Sequence, residues 1–498
     1  MNEIVQIKTQ RNSSLAIITV VMLCLLNVST VVAAETPHIL FIYLDDLGYG
    51  DVSFSNVNSK IKTPNIDRLA KQGISFTDAH AAAAICGPSR YGLLTGRYPW
   101  RRGKGGSNNG AKFRDTFVED GRMTLASLLK KKGYNTGQFG KWGLRHDYSK
   151  AVLPGKIPGD MDAYDFKNQR LLGSQLVGFD YSWSITYLDK KNSDIKFQFE
   201  NGLPVDPSLT PTDPYTWLPQ SANKVVEYLE TYAGKGTNSK FSIESKQPFF
   251  VYWDPPSPHD PIVPNKAFVG KSEAGPYGDF VLEVDHYIGE LLRTLERLDL
   301  AKDTLVVFAS DNGPAKGVYE RVETFEHYSM GELRGMKTDI LEGGHRVPLT
   351  VRWPGQIKAG QTSDALVSLT DWFATLAEMT GQTIPEDAGE DSLSFLSLLK
   401  EGRQTTPYRD SLIHNTAKGH FAYRLQNWVF IDDGSPPASE PEWFQKRRNV
   451  VPNTFSGQLY NLATDPTQSV NLYGKFPERA SHMKSLMLRE QQAGRTRK

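Results

Sequence analysis

Three short runs of aliphatic and aromatic residues recur along the first two-thirds of the chain, 38–44 (HILFIYL), 248–253 (PFFVYW) and 304–310 (TLVVFAS), and 135–142, after a helix and its glycine stop, reads as a further strand. They are largely unbroken rather than alternating, which is the pattern of strands covered on both faces. Helical periodicity lies between them, at 124–132 with Gly133 as its stop and at 279–298 as an amphipathic stretch. The order predicts an α/β fold, a large and mostly parallel sheet flanked by helices. In such sheets ligands bind beyond the carboxyl ends of the strands. Asp45, Asp46, Lys141, His259, Asp311 and Asn312 all fall at or just after those predicted ends, so one shared site is expected. Residues 154–219 are rich in Pro, Gly and aromatics and read as a loop-like insertion over the site, bounded in the domain plan at 151–220. Past residue 400, short strands at 411–414, 419–422 and 428–431 and a helix at 477–492 predict a smaller α+β subdomain with an antiparallel sheet. The plan is a main domain at 35–400 and a C-terminal subdomain at 401–498.

Composition narrows the function classes. The 498 residues carry 57 Lys+Arg against 56 Asp+Glu, so there is no basic surplus for nucleic acid. With 39% hydrophobic residues and Pro and Gly scattered without a period, the chain reads as globular and non-repetitive.

The first 34 residues change the cysteine count. Lys8 and Arg11 precede the apolar run 15–28, and Val32-Ala33-Ala34 follows, the order of a secretory signal cleaved after Ala34. The run is too short to span a bilayer and is interrupted at Asn27. Leu23 before Cys24 argues against lipidation. A periplasmic or secreted protein with no stable membrane span after signal removal is expected. Cleavage takes Cys24 with it and leaves Cys86 as the one cysteine of an exported chain, where it has no internal disulfide partner.

Asp45, Asp46, Asp311 and Asn312 supply three carboxylates and an amide oxygen, hard donors for Ca²⁺ or Mg²⁺ rather than zinc or copper. A lone Asp would be read as a helix cap or turn residue; two acidic pairs at two strand ends point to a metal. Cys86 opens Cys86-Gly87-Pro88-Ser89-Arg90 at the entry to a helix, where backbone amides and Arg90 favour an anion. That setting suits a nucleophile better than a packing cysteine.

This segment, continued by Leu93-Leu94-Thr95-Gly96-Arg97, resembles the signature of the formylglycine-dependent sulfatases of the arylsulfatase A-like type, in the alkaline-phosphatase-like superfamily. The resemblance runs from Asp45-Asp46-Leu47-Gly48-Tyr49-Gly50-Asp51 through Thr63-Pro64-Asn65-Ile66-Asp67 and Glu342-Gly343-Gly344-His345-Arg346-Val347-Pro348 to Leu459-Tyr460-Asn461-Leu462 and Asp465-Pro466. It implies that a maturation enzyme converts Cys86 to 3-oxoalanine (Cα-formylglycine). One hydroxyl of its hydrate then attacks sulfur, and the second loses a proton to expel sulfate. It implies Ca²⁺ rather than Mg²⁺, held by Asp45, Asp46, position 86, Asp311 and Asn312 and polarising the ester. Lys141 and Lys337 match the lysines that contact sulfate, and His259 matches the histidine on the leaving-group side, where a charged imidazole can protonate the departing alcohol. His414 resembles a substrate-binding position near the entrance.

One motif departs from the pattern: Gly140-Lys141-Trp142-Gly143-Leu144 has glycine where the family carries a histidine thought to help release sulfate, and His146 and His345 are the candidates to replace it. The expected activity is that of an exported sulfuric ester hydrolase degrading sulfated carbohydrate; Trp183, Tyr187 and Trp217 of the insertion could stack on sugars, although buried hydrophobic contacts are the commoner fate of such rings. The alternatives are a phosphodiesterase or phosphonate monoester hydrolase of the same superfamily and a non-catalytic carbohydrate-binding relative.

Overall fold

The apolar run at 38–44 becomes β1 (His38–Leu44), an inner strand of a ten-stranded sheet. A computed structural model describes residues 36–103, 116–147, 151–156, 163–166, 168–187, 196–402, 408–416, 419–435 and 440–497. The expected signal peptide, residues 1–34, lies outside them. The strands in chain order are β1, β2 (Ile74–Phe76), β3 (Ala79–His80), β4 (Asn135–Gly140), β5 (Tyr181–Thr186), β6 (Phe197–Glu200), β7 (Leu203–Pro204) and β8 (Phe249–Asp254). They continue with β9 (Thr304–Ser310), β10 (Leu349–Arg352), β11 (Gln361–Ser363), β12 (Val367–Ser368), β13 (Ser411–Asn415), β14 (Phe421–Leu425), β15 (Trp428–Ile431) and β16 (Gln458–Asn461).

The large sheet runs β11-β2-β10-β9-β1-β8-β4-β5-β6-β7. Pairing is parallel from β9 through β1, β8 and β4 to β5, whereas β10 and β6 run antiparallel to their neighbours. Side chains of β1 alternate between two cores. Ile39, Phe41 and Tyr43 pack with α2 (Cys86–Thr95), α3 (Leu125–Lys131) and the helix Trp372–Met379. Leu40, Ile42 and Leu44 pack with α1 (Pro64–Lys71), α4 (Trp217–Tyr232) and α5 (Gly275–Arg297). Two covered faces are the reason these strands lack polar alternation. Thr124 caps α3 in a reciprocal capping box with Ser127, so the predicted helix start stands on its own hydrogen bonds.

The 154–219 segment departs from the expected loop. Its YSWSIT stretch alternates as a strand should and adds β5 to the sheet, with Tyr181, Trp183 and Ile185 in the core. Trp217 opens α4 and is buried as well. Of the two fates open to Trp183 and Trp217, burial holds and stacking on sugars does not: both rings are spent on packing. Tyr187 is half-buried at the end of β5.

The strands β13–β16 form a separate antiparallel sheet in sequential order, as expected for the C-terminal part. The helix Pro477–Gln492 places Ala480, Met483 and Met487 on it, in one cluster with Tyr98 and Trp100, which follow α2. Arg424 of β14 pairs with Asp78 at 2.9 Å, and Arg334 pairs with Glu440, fastening the small sheet to the large one. Among the described residues no helix is long and apolar enough to cross a membrane.

Candidate active site

The carboxyl ends of four adjacent parallel strands converge as the topology requires. β1 ends at Asp45-Asp46, β9 at Asp311-Asn312, β4 at Lys141, and β8 at Asp254, with His259 in the loop after it. Backbone bonds hold these ends in step: Asp311 N–H donates to the Leu44 carbonyl at 3.0 Å and Lys141 N–H to the Asp254 carbonyl at 2.6 Å. Gly140 permits the second approach, because a Cβ there would stand 2.2 Å from the Asp254 carbonyl oxygen. Asp46 takes φ +67°, a left-handed conformation that its contacts stabilise: its N–H donates to Asp311 Oδ1, and Asn312 Nδ2 donates to its Oδ1.

Cys86 is the first residue of α2, following an extended Ile85, so the helix amides begin at the thiol. Lys141 Nζ lies 3.7 Å from Cys86 Sγ and 2.5 Å from Asp45 Oδ2. Lys337 Nζ is 2.7 Å from Asp46 Oδ1, and His259 Nε2 is 3.5 Å from Asp46 Oδ2. Asp45, Arg90, Asp311 and Asn312 are wholly buried, whereas the side chains of Lys141, Lys337 and His259 remain 20, 15 and 31% exposed. The result is a buried acidic floor with a partly exposed cationic rim.

Burial, with Asp45 close by, pushes Asp311 up to about 7. Burial opposes the charge on Asp45 too, but Lys141, His259 and Arg90 hold its carboxyl well below the usual range. Burial and then Lys141 push His259 down, against the pull of Asp45 and Asp46, so the charged imidazole expected from the sequence is disfavoured in this setting. Burial also pushes the Cys86 thiol up, despite Lys141 and Lys337, which leaves an unmodified thiol poorly ionised.

A hard divalent cation fits the floor. Asp45 Oδ1 and Asn312 Oδ1 are buried oxygens with no hydrogen-bond partner, and such acceptors are costly unless something positive meets them. Ligand atoms of Asp45, Cys86 and Asp311 lie within 4.8 Å of one another.

Arg90 is held beneath the site by buried partners. Its guanidinium is paired with Asp311 at 2.9 Å, donates to the Lys141 carbonyl at 2.8 Å, and lies 3.4 Å from Asp254. Asp254, itself fixed by Gln138 Nε2 at 2.8 Å, is a site-supporting residue that the sequence reading passed over. Its position at the end of the PFFVYW run was the available signal. His414 is the expected residue that the structure places elsewhere. It is 4% exposed and stacked on His345, with ring centroids 3.7 Å apart, so the expected place near a substrate entrance is corrected to a buried imidazole cluster.

The glycine at 143 has a steric reason. It has φ +69°, and a Cβ built there would stand 2.8 Å from Arg90 Cδ, so a histidine at this point would have to displace the Arg90 side chain. His146 is buried, with its ring and that of Trp142 close to Gly173, and His345 lies in the cluster with His414. Neither is among the groups described around Cys86. Gly143→Ala is expected to cost about 1–3 kcal/mol of stability, with a fall in turnover as Arg90 is displaced; denaturant unfolding and sulfate release measure the two effects.

Comparisons with known proteins bear on the family of the chain. The family profile described as Sulfatase matches residues 37–382, and that of the N-sulphoglucosamine sulphohydrolase C-terminal region matches 336–431. An N-acetylgalactosamine-6-O-sulfatase of Bacteroides thetaiotaomicron is 32% identical over 91% of this chain and 93% of its own length. The human N-acetylgalactosamine-6-sulfatase is 30% identical over 93% and 87%. A solved structure from a glycosaminoglycan-metabolising locus of Bacteroides thetaiotaomicron superposes with a TM-score of 0.75 at 28% identity, covering 92% of this chain and all of that one. The profile spans well over half of the sequence and the relatives match it nearly end to end, so the chain belongs to the sulfatase family, sulfuric ester hydrolases of the alkaline-phosphatase-like superfamily.

Proposed function

We propose that this sulfatase is exported and removes sulfate from glycosaminoglycan-type sulfated carbohydrate, with a 6-O-sulfated N-acetylgalactosamine unit as its first candidate substrate. The observation that carries the catalytic part is the juxtaposition of Cys86 Sγ and Lys141 Nζ, 3.7 Å apart, above buried acids. Support for the sugar comes from the N-acetylgalactosamine-6-sulfatases that match the chain over about nine-tenths of its length. Asp45, Asp46, Asp311 and Asn312 would hold Ca²⁺, which when bound supplies a Lewis acid for the sulfate oxygens. Position 86, at the start of α2, would carry the formylglycine, whose hydrate would supply the attacking oxygen. Lys141 and Lys337 bring partly exposed ammonium groups to the rim, where an entering sulfate monoester meets them and is oriented by charge. His259, at 31% exposure, flanks Asp46 on the same rim and delivers a proton to the alcohol oxygen as the approaching anion raises its affinity for one. Arg90 positions Asp311 and the Lys141 backbone from beneath.

Protein co-expressed with a formylglycine-generating enzyme should release sulfate from 6-O-sulfated N-acetylgalactosamine faster than from the 4-O-sulfated isomer, and faster than it releases phosphate from a matched phosphate ester. Peptide mass analysis should show aldehyde in place of thiol at position 86. An unmodified cysteine in active protein defeats the nucleophile assignment, and preference for the 4-O isomer or for phosphate defeats the substrate assignment.

A further inference from the structure

A second group of metal-ligating side chains lies apart from the acidic floor. His80 of β3, His345 at the end of the short helix Glu342–His345 and His414 of β13 come from three distant segments and are 0, 2 and 4% exposed. One ring nitrogen from each lies within 4.8 Å of the others. Each ring also spends a nitrogen on an oxygen acceptor: His80 Nε2 is 2.7 Å from Asp78 Oδ1, His345 Nε2 is 3.1 Å from the Ile340 carbonyl, and His414 bonds the Ala81 backbone. An N–H fixed by such an acceptor leaves the second nitrogen of a neutral imidazole as a lone-pair donor, and this anchoring is what orients histidines that bind metals. His80 Nδ1 and His345 Nδ1 then face each other at 3.0 Å. Two lone pairs at that distance repel unless a cation or a proton lies between them.

We propose that His80, His345 and His414 form a binding site for a borderline divalent transition metal, Zn²⁺ by preference, joining the segment that leads to Cys86 with the C-terminal sheet. The donor set is all nitrogen, in contrast to the oxygen floor, so the two sites select different ions. The spacing suits zinc: bonds of about 2.0–2.1 Å at a tetrahedral angle separate two donor nitrogens by about 3.3 Å, a few tenths more than the observed 3.0 Å. Asp78, which fixes His80, is itself paired with Arg346 at 2.7 Å and Arg424 at 2.9 Å, so the outer carboxylate is held as firmly as the ring. Backbone continuity favours a structural part for the ion, since the Ala81 N–H donates to the His345 carbonyl at 2.8 Å.

The test uses the intact protein, treated with EGTA to remove calcium, equilibrated with Zn²⁺ and desalted. Elemental analysis is expected to find stoichiometric zinc in the wild type. In His345→Ala and His414→Ala, affinity is expected to fall at least about tenfold. X-ray absorption of the wild-type zinc protein is expected to show a nitrogen-dominated shell with imidazole scattering, and this reading holds even if the variants fail to fold. Absence of zinc from the wild type, an oxygen-dominated shell, or zinc retention unchanged in folded variants overturns the proposal, the first by showing that a shared proton joins His80 and His345.

Discussion

Cys86→Ala is expected to lower sulfate release by at least about 10⁴-fold, the scale on which nucleophile knockouts act, while thermal unfolding moves little. The residue opens α2 without a side-chain cap and is only half-buried, so alanine, the best helix former, replaces it at little cost to the fold. The acidic floor and both lysines keep their partners, because the pairs Lys141–Asp45 and Lys337–Asp46 do not pass through the thiol. The variant should still bind a sulfated ligand, which separates lost chemistry from lost binding. Turnover within about tenfold of wild type sinks the assignment of position 86.

Arg90→Ala is expected to damage both stability and activity. The guanidinium is wholly buried among Asp311, Asp254 and, at 3.8 Å, Asp45, so its removal leaves carboxylates facing one another without compensation. Breaking a buried ion pair from one side costs about 3–5 kcal/mol. The cost appears as an earlier denaturant midpoint, and turnover falls as Asp311 and the Lys141 carbonyl lose their anchor. Arg90→Lys should recover only part of either loss, because an ammonium cannot reproduce the planar fork that reaches Asp311 and the Lys141 carbonyl together. Full recovery by lysine would show that charge alone matters and would remove the positioning argument.

Much of the fold was legible because two-faced burial writes itself into sequence: HILFIYL and TLVVFAS carry no polar alternation and became adjacent strands with matching ends. The same ends gave the acidic pairs away, since a parallel sheet delivers its last residues to one place. Aromatic content misled at 154–219, where Trp183 and Trp217 pack in the core although their flanks look like loop. Asp254 escaped notice because its value lies in holding Arg90, a pairing across 164 residues that no local pattern announces. The absence of a side chain at 143 was visible as a gap in a motif, yet its cause, the proximity of Arg90 Cδ, exists only in three dimensions.

Residues Gly87 to Thr95 are all buried once α2 is formed, and Tyr98 and Trp100 just beyond it pack with Ile413, Phe430 and Met483 from the far end of the chain. The maturation enzyme proposed for position 86 would therefore reach the segment around it most readily before the C-terminal residues have docked. Under the proposed conversion of position 86, maturation and folding would compete in time, and a slower closing of the C-terminal sheet would raise the yield of converted protein.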